Sequence, residues 1–182
     1  GETCAAAFDE SLGSCFRNDI YSDYKASRTL PDEALAFQLD TCRTITESLG
    51  IPTFSDSRYE ADDFIATLAR LIREQECPVT VVTRDKDLGQ VLVSDCDRWW
   101  DFAADAVLDA AAFTERFGVQ PGQFADYLAL VGDPIDDIPG VPGVGPKSAA
   151  YLLQHFGSLQ ALADGLSEVA GLKLRGAARL EQ

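Results

Sequence analysis

The sequence lacks several features that would place it in other classes of protein. It contains no Met, a single His (His155) and no CxxC pair, so neither a His-based nucleophile system nor a zinc site is indicated. No apolar run approaches the roughly 20 residues that span a bilayer, and a signal peptide and a P-loop or Rossmann glycine motif are absent. We therefore expect a cytoplasmic protein with no membrane partner, whose five separated Cys residues are reduced.

The size and composition fit one globular core with a small attached subdomain: 182 residues, of which 46% are hydrophobic and 25% charged. Because there is no Met and Gly1 comes first, we expect the sequence to be part of a longer protein.

The net charge of −15 at first argues against a nucleic-acid partner, because phosphates favour basic proteins. The charge is, however, unevenly distributed. Residues 1–137 hold 27 acidic and 11 basic residues, whereas residues 138–182 hold 3 acidic and 4 basic ones. The acidity therefore belongs to the first part of the chain only.

Alternating apolar patterns predict an α/β fold in the first part. Short apolar or β-branched runs predict strands, and 3.6-residue periodicity predicts amphipathic helices. We expect strands at 3–8, 51–54, 79–83 and 98–102, and helices at 31–50 and from Glu60 onward. This alternation predicts a parallel sheet with helices on both faces. After about residue 104 we expect helices throughout, which divides the chain into an α/β core (1–104) and a helical subdomain (105–182).

Acidic residues follow the predicted strands and begin the helix near Glu60. Each group alone has an ordinary explanation as a turn or a helix start. Because the carboxyl ends of strands share one edge of a parallel sheet, we expect eight carboxylates there: Asp9, Glu60, Asp62, Asp63, Asp85, Asp87, Asp133 and Asp136. Such crowding is costly unless cations compensate it, and Mg²⁺ prefers carboxylates. The pattern favours two-metal hydrolysis of a phosphodiester.

A segment with basic and aromatic residues, 16–28, forms a second candidate site. If it is helical, Arg17, Tyr21, Tyr24, Lys25 and Arg28 lie along one stripe that could grip phosphates and stack on unpaired bases. The alternative is a solvated amphipathic helix with its Tyr residues packed inward.

The string IPGVPGVGPKS, residues 138–148, contains three Gly and three Pro residues before an amphipathic helix. Its backbone N–H groups and Lys147 could hold a phosphate without reading bases. The alternative is a simple turn between helices.

The order of these motifs, FD, FRxxxYxxYKxxR, YEADD, TRDKD and GDxxDDIPGVPGVGPKSA, resembles the 5′-nuclease domain of bacterial DNA polymerase I and its stand-alone relatives in the flap endonuclease superfamily. The resemblance runs from Phe8 to Leu166. It implies a PIN-like α/β fold with a helical arch at 16–30 and a helix-hairpin-helix element at 138–148.

The resemblance also implies an activity: cleavage of DNA near a 5′ junction of single strand and duplex, irrespective of sequence, in replication or repair. Two Mg²⁺ or Mn²⁺ ions would be used. Asp9, Glu60 and Asp62 would bind the first ion, with Asp63 shared. Asp85, Asp87 and Asp136 would bind the second, supported by Asp133.

Three basic arch residues would steer the 5′ strand in such a nuclease: Arg17, Lys25 and Arg28. Lys25 is the expected transition-state stabiliser. Gly140, Gly143, Gly145 and Lys147 would hold the duplex backbone, with K⁺ as a further ligand of the hairpin.

The sequence departs from the family pattern in two places. The family's first strand, which carries an early Asp-Gly, is expected to be missing, and Asp137 stands where relatives usually have Asn. Two alternatives stay open: a non-catalytic DNA-binding fragment that cannot hold two metal ions, and a PIN-type ribonuclease.

Overall fold

The computed structural model describes residues 3–10 and 15–166, so the end of the expected helical subdomain, 167–182, lies outside the described residues. The chain divides into two units. The first comprises Gly1–Ala69 and Ile135–Asp137, and the second comprises Arg70–Pro134 and Ile138–Gln182. No helix in the described ranges is both long enough and apolar enough to cross a bilayer.

The first unit contains two short strands and three helical segments. Its elements are Ala6–Ala7 (β1), Phe16–Ile20 (α1), Glu33–Ser48 (α2), Thr53–Phe54 (β2) and the first part of Ala61–Arg73 (α3). Strands β1 and β2 are parallel, with Ala6 opposite Thr53. Helix α2 begins where expected, because the Asp32 carboxylate accepts a hydrogen bond from the Leu35 N–H at 2.8 Å.

The second unit begins with a three-stranded sheet and continues with helices. Its elements are Thr80–Val82 (β3), a 3₁₀ segment Lys86–Val91, Arg98–Asp101 (β4), Ala106–Leu108 (β5), Ala110–Phe117 (α4), a 3₁₀ segment Pro121–Gln123, Phe124–Val131 (α5), Gly132–Asp133 (β6), Ile138–Pro139 (β7), Pro146–Phe156 (α6) and Leu159–Asp164 (α7). Strands β3 and β4 are parallel, whereas β4 and β5 are antiparallel. The core of this unit contains Phe113, Phe124 and Leu130, which are fully buried.

The expectation of helices throughout after residue 104 is wrong at three places, β5, β6 and β7. Strand β5 returns along β4 after a tight turn in which Asp105 has a left-handed φ of 49°. Strands β6 and β7 form a two-residue antiparallel pair. Each of these strands has only two or three residues, too few to produce a period in the sequence.

The expectation of one helix over residues 16–28 is also wrong. Helix α1 ends at Ile20, and Tyr21 has an extended backbone with φ −138° and ψ 104°. Residues 22–27 form turns, and Lys25 has a left-handed φ of 56°. The basic residues of this segment therefore do not form a helical stripe.

Candidate functional site

Glu60 is the centre of the polar cluster in the first unit. It is 4% exposed, yet three neighbours share its carboxylate. The Tyr24 hydroxyl donates to Oε2 at 2.8 Å, Lys25 Nζ lies 2.7 Å from Oε1, and Arg17 Nη1 lies 3.3 Å from Oε2. A buried carboxylate is costly unless it is paired and hydrogen-bonded, and these three contacts meet that requirement.

Arg17 also grips Asp63, which stands in the first turn of α3. Its two terminal nitrogens donate to the two carboxylate oxygens, each at 2.8 Å, and the Glu60 N–H donates to Oδ2 at 3.0 Å. Burial by itself would raise the pKa of Asp63, but the hydrogen bonds from Arg17 and the Glu60 N–H, together with the positive charges of Arg17 and Lys25, outweigh it and hold that pKa below its ordinary value. The neighbouring Asp62 is not bridged in this way, and burial raises its pKa.

Asp9 and Asp136, in the same unit, have separate partners. Asp9 Oδ1 accepts from the Ala61 N–H at 2.7 Å and so caps the start of α3. Asp136 Oδ1 accepts from Arg28 Nη2 at 2.6 Å, and its carbonyl accepts from the Lys25 N–H at 3.0 Å. This second bond helps to hold Lys25 in its left-handed conformation, which is unfavourable for a residue with a side chain.

The second unit holds the three other predicted carboxylates, and a lysine joins two of them. Lys86 Nζ lies 3.0 Å from Asp87 Oδ1 and 3.0 Å from Asp133 Oδ2. The Asp85 side chain accepts from the Asp87 N–H at 2.8 Å, and its carbonyl accepts from the buried Trp99 indole at 2.8 Å. Burial raises the pKa of Asp87, although Lys86 opposes the shift.

Basic side chains pair with five of the eight carboxylates: Glu60, Asp63, Asp87, Asp133 and Asp136. The sequence predicts divalent ions in that role, whereas Arg17, Lys25, Arg28 and Lys86 provide positive charge in the structure. Within residues 3–10 and 15–166, no three His, Cys, Asp or Glu side chains are grouped so that they could hold a metal ion. The eight carboxylates are divided between the two units. That all of them lie at one edge of a sheet therefore stays a prediction.

Two residues of the site were not predicted from the sequence. Lys86 stands between two acidic residues in RDKD, and this position is the only local signal that it could bridge carboxylates. Trp99 lies in a predicted strand, and nothing in its sequence context indicates the bond to Asp85, which lies 14 positions earlier in the chain.

The two Tyr residues of the basic segment differ from each other. Tyr24 is 7% exposed, and its hydroxyl donates to Glu60. Its ring therefore packs inward, as the alternative interpretation of the sequence expects, and is not placed to stack on a base. Tyr21 is exposed and its hydroxyl donates to the Asp137 carbonyl at 3.3 Å. Asp137 has a left-handed φ of 57°, which Asn and Asp tolerate best among residues other than Gly.

The Gly-rich segment leads into α6, as expected. A Cβ on Gly140 would lie 2.2 Å from the Val131 carbonyl carbon, so this glycine is required by the close approach of two backbone segments. Gly143 has a left-handed φ of 86°, whereas Gly145 is the N-cap of α6 with open space around it. Lys147 lies exposed in the first turn of α6.

Each unit contains an acidic cluster, and the described chain after Leu108 is largely helical. Two family models match along the chain: the 5′-3′ exonuclease N-terminal resolvase-like domain at residues 1–118, and the 5′-3′ exonuclease C-terminal SAM fold at 119–182. The chain belongs to the 5′-3′ exonuclease family. The expected fold class, α/β followed by a helical subdomain, is confirmed.

Individual proteins agree with this assignment. The chain is 39% identical over 171 residues to DNA polymerase I of Rhizobium leguminosarum. This match covers 94% of the chain and 17% of the polymerase. It is 35% identical over 170 residues to the 5′-3′ exonuclease of Buchnera aphidicola, covering 93% of this chain and 58% of that protein. The chain therefore spans less than two thirds of these relatives.

A solved structure has the same fold. It is a bacteriophage T5 flap endonuclease in a pseudo-enzyme-product complex with DNA and metal ions, with a TM-score of 0.76 and 26% identity. The match covers 91% of this chain and 64% of the phage protein.

Proposed function

We propose that the protein hydrolyses DNA phosphodiesters near 5′ ends and at junctions between single strand and duplex, as a divalent-metal-dependent 5′-3′ exonuclease and flap endonuclease. The observation that carries the proposal is the match of both 5′-3′ exonuclease models, which together run from residue 1 to 182. The T5 relative, which was solved with DNA and metal ions, supports the choice of substrate and cofactor.

The donor set of the candidate site fits hard divalent ions. It consists of carboxylates, and basic groups lie within 3.0 Å of Glu60 in the first unit and of Asp87 and Asp133 in the second, so each unit stabilises positive charge beside its own carboxylates. In our proposal Asp9, Glu60, Asp62 and Asp63 hold one Mg²⁺, and Asp85, Asp87 and Asp133 hold another, with Mn²⁺ as a substitute. That Asp136 binds the second ion stays a prediction. So does the binding of K⁺ by the hairpin. Bound divalent ions supply an activated water and stabilise charge on the phosphate oxygens.

The remaining side chains bind and orient the substrate. Lys25 and Arg17 offer N–H donors beside Glu60, and a phosphate there would receive charge-assisted hydrogen bonds. Arg28, whose side chain is about half exposed, can leave Asp136 to reach a 5′ strand. Lys147 and the hairpin would hold the duplex backbone independently of sequence. We also propose a cytoplasmic location, because all five Cys residues are unpaired.

The test is cleavage of a 5′-flap DNA by the chain, with and without Mg²⁺. We expect cleavage that requires the ion and is abolished in Asp85→Ala/Asp87→Ala, with DNA affinity retained. Lys147→Ala should weaken binding about equally across sequences and flatten its salt dependence. If the double variant still cuts, the metal assignment is wrong.

One further candidate function has an observation in its favour. Basic side chains already pair with five of the eight carboxylates, and within the described residues no three His, Cys, Asp or Glu side chains are grouped to hold a metal ion, so the protein could bind DNA without cleaving it. Binding of flap DNA with no cleavage in either Mg²⁺ or Mn²⁺ would support this candidate. A matched 5′-flap RNA separates both from a PIN-type ribonuclease, which would cut the RNA preferentially.

A further inference from the structure

Lys86 lies between two of the carboxylates that are proposed to hold a metal ion. Its Nζ is 3.0 Å from Asp87 Oδ1 and 3.0 Å from Asp133 Oδ2, both distances of charge-assisted hydrogen bonds. One ammonium group thus occupies the point between two carboxylates where a cation is most favourable.

The three side chains differ in their access to solvent. The Asp133 side chain is 9% exposed, that of Asp87 28% and that of Lys86 41%. A carboxylate as deeply placed as Asp133 is costly without a positive charge beside it. Lysine, in contrast, has a flexible four-carbon stem and can turn towards solvent without unfolding its surroundings. The two anions are therefore the fixed members of the group and the ammonium is the movable one.

We propose that Lys86 is an internal counter-ion: its ammonium group occupies the place of a divalent ion between Asp87 and Asp133 and is displaced when the ion binds. This inference rests on the proposed function. Lys86 is a positioning residue with two opposite effects. It keeps the two carboxylates facing each other when no metal is bound, and it weakens metal binding because the ion must compete with it. If Lys86 only held the two carboxylates in place, its removal would weaken metal binding.

The experiment measures binding of Mn²⁺ alone to the full chain, at neutral pH and without DNA, from the electron paramagnetic resonance signal of the free ion. Lys86→Met removes the ammonium and keeps most of the stem. Lys147→Met is the matched control, because it removes the same charge from an exposed position in the same unit. Lys86→Arg keeps the charge.

We expect Lys86→Met to bind Mn²⁺ about tenfold more tightly than the parent chain, equivalent to about 1.4 kcal/mol at 25 °C. Lys147→Met should change the affinity less than twofold, since the charge it removes is exposed and screened by solvent. Lys86→Arg should bind no more tightly than the parent, and adding Asp87→Asn to Lys86→Met should remove the gain. Lys86→Gln provides the same comparison if the Met variant fails to fold, as judged by circular dichroism.

Equal or weaker Mn²⁺ binding by Lys86→Met overturns the inference, and so does an equal gain in Lys147→Met or a lack of binding in every variant. Cleavage of flap DNA by the parent chain is measured separately. Cleavage without a gain in Lys86→Met overturns only the role of Lys86. A gain without cleavage overturns the proposed hydrolysis and supports the counter-ion.

Discussion

Substitution of Asp97 by Asn should destabilise the second unit strongly. Asp97 is 1% exposed and accepts four hydrogen bonds. Val79 N–H donates to Oδ1 at 3.0 Å, while Val93 N–H, Ser94 N–H and Arg73 Nε donate to Oδ2 at 3.1, 2.9 and 3.0 Å. The carboxylate thereby joins the end of α3, the segment before β3 and the turn before β4. These are the elements that flank Asp85 and Asp87.

The magnitude follows from these contacts. An Asn placed in its best orientation keeps its oxygen at the three converging donors and turns its NH₂ group towards the Val79 N–H. One bond to a charged acceptor is lost and a buried amide is left unpaired, at a cost of about 1–3 kcal/mol. Arg73 also loses its ionic partner, which for a fully buried pair costs about 3–5 kcal/mol and here less, because the Arg73 side chain is 19% exposed. We expect a total loss of about 3 kcal/mol.

Urea unfolding followed by far-UV circular dichroism measures this loss. Asp95→Asn is the control, because Asp95 is exposed in the same turn, and it should change the free energy of unfolding by less than about 0.5 kcal/mol. A loss below about 1 kcal/mol for Asp97→Asn, or an equal loss for Asp95→Asn, would refute the reasoning, since a bond to a charged group is expected to contribute more than that.

The pH dependence gives an independent check. Burial opposes ionisation of Asp97, but hydrogen bonds from Ser94, Val79 and Val93 and from Arg73 hold its pKa below the ordinary value. Its stabilising effect is therefore complete above the unfolded-chain pKa of about 3.9 and is lost as the pH falls through the lower folded-state pKa. The difference between the parent chain and Asp97→Asn should shrink over that acidic range.

Two other substitutions test the candidate site and the hairpin. Tyr24→Phe removes the hydroxyl that donates to buried Glu60, and we expect unfolding in urea to become easier by about 1.5 kcal/mol; an unchanged midpoint and slope would contradict the bond. Gly140→Ala places a methyl group 2.2 Å from Val131, and should lower the melting temperature with a cost of about 2 kcal/mol or more. Gly145→Ala, with open space around it, should cost less than about 0.5 kcal/mol, so similar effects of the two Ala variants would show that the close approach is not limiting.

The secondary structure that could be predicted is the part encoded by local sequence. Strand β3 is a β-branched run, and α2 and α3 carry long apolar stripes with acidic first turns, so their positions are confirmed. Strand β5 is three residues long and exists because β4 offers it a partner. A pairing of that kind depends on tertiary context and leaves no period in the sequence.

The sequence predicts which acidic residues belong to the candidate site, but it does not predict their basic partners. The motifs indicate which carboxylates accumulate, but Arg17 meets Asp63 across 46 positions and Lys86 meets Asp133 across 47. Helical spacing places Arg17 and Lys25 on one exposed stripe, whereas the end of α1 at Ile20 and the left-handed φ at Lys25 direct both side chains to Glu60. Non-local pairs of this kind are visible only once the chain is folded.

These pairs bear on how an acidic chain could approach DNA. The first 137 residues contain 27 acidic and 11 basic residues, and Arg17, Lys25, Arg28 and Lys86 are all engaged by carboxylates. A phosphate that approached the basic side chains of either unit would meet cations whose charge is already balanced, and repulsion by the neighbouring carboxylates would oppose it. Divalent ions would change that balance, because each ion adds two positive charges and takes over carboxylates from the basic side chains. Within each cluster, metal binding and phosphate binding would then favour each other, because an ion would neutralise carboxylates and release the basic side chain that is paired with them.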